Sequence, residues 1–99
     1  MKTLEPQFTD RGFNFTQVVR RGDLAVFHKK RVDGVAECWE TVRIGRHNGY
    51  KIGGKAIAPA ETFPPSSAWG SQGWTYSDEG AALDKMSQLE IAELEANAA

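Results

Sequence analysis

The sequence predicts an α+β fold, an antiparallel β-meander of four to five strands with a C-terminal helix packed on one face. Three observations carry this. Runs rich in β-branched and aromatic residues alternate with period two between residues 13 and 52. The dipeptides Gly22-Asp23, Asp33-Gly34 and Asn48-Gly49 separate those runs at hairpin spacing. After residue 77 the period changes, and Ala82, Leu83, Met86 and Leu89 form one stripe at helical spacing.

Taken in order, residues 1–11 read as a leader that is either loose or ordered only on packing. Met1–Asp10 carries Glu5 and Asp10 and lacks an apolar core, so it does not read as a signal peptide. The ordered core is expected over about 13–90 of a single domain, 1–99, with 95–99 a loose Ala-rich tail. The first strand starts at Phe13, with Phe15, Gln17 and Val19 on one face and Asn14, Thr16, Val18 and Arg20 on the other. Gly22-Asp23 turns the chain into a second strand, Leu24 to Lys30.

Asp33-Gly34 leads into the central strand, Glu37 to Arg46. There Cys38, Glu40, Val42, Ile44 and Arg46 share one face, and Trp39, Thr41, Arg43 and Gly45 the other. Val42 and Ile44 are the natural core pair, and Trp39 covers the opposite face. Asn48-Gly49 is the strongest turn signal, because both residues tolerate the left-handed region that a type I′ turn requires. It opens a short strand, Tyr50 to Ile52, and Gly53-Gly54 turns the chain again. Residues 55–73 have no period and read as a long loop held to the body by Ile57, Phe63 and Trp69. Trp74 to Tyr76 adds a short strand. Ser77 or Asp78 then caps the helix, and because Ile91 falls off the stripe the helix is expected to fray or end near Leu89–Leu94.

The single cysteine excludes an internal disulfide, and His28, His47 and Cys38 make a poor zinc set. No metal and no cofactor are expected, and a reducing cytoplasm is the simplest compartment. No apolar run approaches the roughly 20 residues that span a bilayer. The net charge of −1 hides an asymmetry: residues 11–55 carry ten Lys/Arg against four acids, while residues 56–99 carry Lys85 against seven acids. Such a division marks either a nucleic-acid surface or a basic sheet neutralised by an acidic helix packed nearby.

The runs Trp39-Glu40-Thr41-Val42-Arg43-Ile44 and Gly49-Tyr50-Lys51-Ile52-Gly53-Gly54 suggest a group of proteins. So do Pro59-Ala60-Glu61, Pro64, Ser66-Ser67, Trp69-Gly70 and Gly73-Trp74-Thr75 ahead of a terminal helix. Over residues 13–90 this resembles small proteins of phages and mobile elements that have no assigned activity. The resemblance implies a bacterial-host setting and a host-directed role, such as blocking a defence system. It implies nothing about chemistry.

No catalytic residue stands out. Cys38 with His28 or His47 suggests a nucleophile pair, but Cys38 begins a strand and is most simply a small buried apolar residue. The glycines of 45–54 lack the spacing that cradles phosphate. Two features remain. Arg43, Arg46, His47, Lys51 and Lys55, with Tyr50 among them, surround the Asn48-Gly49 turn and could neutralise phosphates while the ring stacks on a base. Trp69 sits in the 63–74 loop and could anchor a partner, although a tryptophan beside glycines and prolines more often pins a loop to a small core. The expected function is therefore non-enzymatic binding to a host protein. The alternative is direct DNA or RNA binding through the basic hairpin of residues 43–55.

Overall fold

The computed structural model describes residues 1–98. Five strands form the main antiparallel sheet in the order β1-β2-β3-β4-β9, and one helix packs against it. The strands are β1 (Gln7–Asp10), β2 (Phe13–Arg21), β3 (Leu24–Arg31), β4 (Glu37–Arg43) and β9 (Gly73–Tyr76); the helix α1 is Glu79–Ala98. Two small ribbons complete the fold. In one, β5 (Gly45–His47) pairs with β8 (Ala60–Thr62); in the other, β6 (Tyr50–Ile52) pairs with β7 (Lys55–Ile57). The α+β layout is thus the one the periodicity predicts.

The expected central strand is cut at Ile44. That residue leaves the sheet, its N–H donating to the Asp23 carbonyl at 2.7 Å, and the chain continues as β5. Asn48-Gly49 is not a hairpin turn, because β5 pairs with β8 and not with β6. The hairpin turn is Gly53-Gly54, whose φ values of 55° and 79° are both positive, as a type I′ turn needs. The long loop expected over 55–73 contains β7, β8 and a single 3₁₀ turn, Ser66–Ala68.

The leader is not loose. β1 pairs with β2 along its length, and Lys2 bridges to Ala60. Nor does the helix end near Leu89–Leu94. Residues 95–98 of the expected loose tail are its last turn, with Ile91 and Leu94 exposed on it, and Ala99 lies outside the described residues. Asp78 is the cap, accepting the Ala81 N–H at 2.8 Å through Oδ1.

Strand pleating buries both faces of the sheet. Leu24 and Val26 pack under Ala82 and Met86 of α1, with Trp39, Tyr76, Leu83 and Leu89 at the margin. Phe15, Ala25, Phe27, Val42 and Ile44 form the opposite core, against Phe8, Phe13, Phe63 and Trp69. Val42 and Ile44 lie together on one side and Trp39 on the other, as the alternation predicts. In β2 the alternation breaks, because the register shifts between Gln17 and Val19. This β-bulge puts Val19 on the helix side instead of with Phe13 and Phe15. It also turns Arg20 toward Glu61 of β8 and Arg21 toward Glu90 of α1.

Candidate functional site

The aromatic side of the sheet is only partly covered. Between the β1–β2 hairpin and the Pro64–Trp69 segment lies a cleft of about 570 Å³, lined by Phe8, Phe13, Phe15, Phe63, Trp69 and the two prolines, with Asp10, Arg11, Lys29 and Glu40 among them. That size suits a small ligand or a few residues of a partner.

Local sequence explains each wall. Arg11-Gly12 turns β1 into β2 with φ values of 50° and 84°. Among the described residues, Arg11 is the one non-glycine held at positive φ, a conformation in which an arginine is strained. Phe8 stacks on Phe15 with centroids 4.7 Å apart, and Phe63 meets Phe8, Phe15 and Phe27 edge-on at 5.7, 5.3 and 5.5 Å. Pro64 and Pro65 stop strand pairing, and the 3₁₀ turn that follows lays Trp69 flat over Gly73. A Cβ at residue 73 would stand 2.6 Å from the indole ring, so only glycine allows this approach.

At the floor is a buried carboxylate. The Glu40 side chain is 5% exposed and 3.8 Å from the Lys29 ammonium. Trp69 Nε1–H donates to Thr75 Oγ1 at 2.8 Å, and Thr75 in turn donates to Glu40 Oε2 at 3.0 Å. Lys29 Nζ sits 4.5 Å from the centroid of Phe13 and 5.5 Å from that of Phe15. Burial pushes the Glu40 carboxyl above its ordinary range, and the neighbouring Lys29 charge and Thr75 hydrogen bond only partly offset this. Cys38 lies opposite Lys29 on the same face and is half-buried; burial first, and then the Glu40 charge, push its thiol up and keep it protonated. The arrangement can hold a planar or apolar group against the rings and a cation against the carboxylate.

The residues singled out around the Asn48-Gly49 turn do not converge on one surface. Arg43 points to the helix side and pairs with Glu93. Arg46 pairs with Asp23 at 2.6 Å and approaches Glu61 at 3.4 Å. His47 Nδ1 accepts the Gly49 N–H at 3.1 Å, and its ring stands edge-on to Tyr50. Tyr50, Lys51 and Lys55 are exposed on the β6–β7 hairpin. Lys55 is cross-strand to Ile52, so pleating puts it and Lys51 on opposite faces. Part of the charge asymmetry is internal, since Arg21–Glu90 and Arg43–Glu93 tie the basic sheet to the acidic helix.

Trp69 does line the cleft. The sequence reading missed its neighbours Phe8, Phe13, Phe15, Lys29 and Glu40. The available signal was parity: the odd residues of β2 ahead of its bulge, the odd residues of β3 and the even residues of β4 share a face. His28 has a carboxylate partner that local spacing did not suggest, Glu37 at 2.8 Å across the β3–β4 hairpin. Among the described residues, no three His, Cys, Asp or Glu side chains converge as a metal ion would need. Among those residues, no helix is long and apolar enough to cross a membrane. No family model matches the chain, and neither a curated protein nor a solved structure matches it.

Proposed function

We propose that this chain is a small non-enzymatic binding module that engages a partner protein through the aromatic cleft. In the phage or mobile-element setting that the sequence resembles, the partner is a host protein in the bacterial cytoplasm. One observation carries the reading: five aromatic side chains, a buried carboxylate and a lysine line one open cleft. A partner segment laid there buries apolar surface against the rings and finds charged groups that fix its orientation.

The second reading, nucleic-acid binding, rests on the projecting β6–β7 hairpin, where Tyr50 and Ile52 are 51% and 64% exposed beside Lys51 and Lys55. The ion pairs of Arg43 and Arg46 weaken it, because those charges are already neutralised. One experiment separates the two: capture from a bacterial lysate, with and without nuclease, by the parent, Phe13→Ala and a Lys51→Ala/Lys55→Ala double variant. The protein-binding reading expects a nuclease-resistant partner that Phe13→Ala loses and the double variant keeps. Capture abolished by nuclease and by the double variant would promote the hairpin.

A further inference from the structure

We propose that the cleft contains a cation box that Lys29 fills from within the chain, and that a partner's arginine side chain takes its place. This deepens the binding reading above and rests on it. The box has two walls of ring, Phe13 and Phe15, and a floor, the Glu40 carboxylate. Rings and a buried acid together are the chemistry that recognises a cation.

Lys29 occupies the box loosely. Its ammonium lies 3.8 Å from Glu40 Oε2, well beyond the roughly 2.7–2.9 Å of a charge-assisted hydrogen bond, and its side chain is 26% exposed. The long flexible stem can swing to solvent at little cost, because a lysine ammonium is strongly hydrated. A guanidinium fits the same box better. It is planar, stacks on a ring face, is more weakly hydrated, and can fork onto a carboxylate where the lysine makes one long contact. The Glu40 carboxylate has the acceptor capacity for this, since the hydrogen bond that reaches it comes from Thr75. A lysine ligand would only exchange like for like, so the box discriminates arginine from lysine.

The chain Trp69–Thr75–Glu40 supplies the readout, because a cation arriving at Glu40 perturbs the Trp69 indole N–H through two hydrogen bonds. The probes are short capped peptides, one with a central arginine and one with lysine in its place, titrated into the full chain while that N–H is followed by NMR. The arginine peptide should move the signal at lower concentration than the lysine peptide. Lys29→Ala, which empties the box, should tighten arginine binding about tenfold, the scale of a partly desolvated cation–π contact. Glu40→Gln, which keeps the acceptor for Thr75, should weaken it by a similar factor. Arginine and lysine peptides binding alike would overturn the proposal, as would Lys29→Ala binding no tighter than the parent. Should those arms fail while Phe13→Ala still abolishes partner capture, the cation box falls and the cleft stands; if capture is also indifferent to Phe13, both fall.

Discussion

The two faces of the five-stranded sheet are built from the same strands and end differently. On one, Leu24 and Val26 are sealed by Ala82 and Met86. On the other, Phe15 and Phe27 are covered by a short strand, a 3₁₀ turn and single rings, and a cleft remains. Adjacent residues of β4 show what this means for a buried polar group. Thr41 faces the helix, and its hydroxyl donates to the Ala82 carbonyl at 2.7 Å, a neutral pair that is fully satisfied. Glu40 faces the cleft and is 4% exposed, with its charge facing a lysine that it does not firmly bond. A helix can close a face with backbone and methyl groups. A face closed by loops has room for a buried charge, and such a charge is a common mark of a binding site.

The comparison breaks most severely when either core is emptied. Phe27→Ala removes a fully buried ring that Phe8 and Phe63 pack against, and should cost about 3–5 kcal/mol. Met86→Ala empties the helix side and should cost about 2–5 kcal/mol. Denaturant unfolding measures both. If the loop-covered side were mere surface packing, Phe27→Ala would leave the midpoint near the parent's, and the claim of two cores would be wrong.

Next in size is Glu61, which joins the loop-covered side to the sheet. Its carboxylate takes two hydrogen bonds from Arg20 at 2.7 Å and one from the Leu4 N–H at 2.9 Å. The Arg20 fork above all, then that N–H and the Arg20 and Arg46 charges, hold its pKa down to about 2, against an ordinary 4.5. A lowered pKa in the folded state means the contribution is fully present above pH 4.5 and is lost as pH falls from there toward about 2. Glu61→Gln should remove much of that acid sensitivity and cost about 2–3 kcal/mol at neutral pH. Thermal midpoints between pH 2 and 7 test it; parallel curves for the variant and the parent would mean the network does not stabilise the fold.

Much of the sheet was legible in the sequence, and the cleft was not. The β2–β3 and β3–β4 hairpins announce themselves because Gly22-Asp23 and Asp33-Gly34 sit between alternating runs. The β1–β2 hairpin is hidden because its turn uses Arg11, which no turn rule favours at positive φ. β5 and β8 are hidden for another reason. Each is three residues long, and they pair across twelve residues that contain a separate hairpin, so no local period reveals them. The cleft draws on the hidden β1–β2 hairpin, on the Phe63–Ser66 segment that follows β8, and on Trp69, whose place over Gly73 depends on a contact and not on a pattern. The basic set misled for the opposite reason. Proximity in sequence suggested one patch, and a three-residue strand with its own partner dispersed it.

Gly73→Ala tests the loop-covered side with a single methyl group. The new Cβ would meet the Trp69 ring, so the indole must shift and give up its bond to Thr75. The expected cost is about 1–3 kcal/mol, as for other overpacked sites. The Trp69 indole N–H should lose its hydrogen-bonded chemical shift while the signals of Ala82 and Met86 stay put. Changes spreading to those helix residues would show that the two faces are not independent.

The smallest effect separates the neighbours Glu40 and Thr41. Thr41→Val keeps the shape and removes the donor to Ala82, so it should cost about 1 kcal/mol. Glu40→Gln should go the other way. Burial raises the Glu40 pKa above the ordinary 4.5, so the folded state holds its proton longer than the unfolded chain does. Stability from this residue therefore falls as pH rises through 4.5, and the penalty is complete once pH exceeds the folded value. Glutamine carries no charge to desolvate and keeps an oxygen for the Thr75 hydroxyl, while Lys29 can turn to solvent. At pH 7 the variant should match the parent or exceed it by about 1 kcal/mol, and the gap should close as pH is lowered toward 4.5. A variant clearly less stable than the parent at neutral pH would show that the Lys29–Glu40 pair holds the fold together, and the case for Glu40 as a group kept for binding would fail with it.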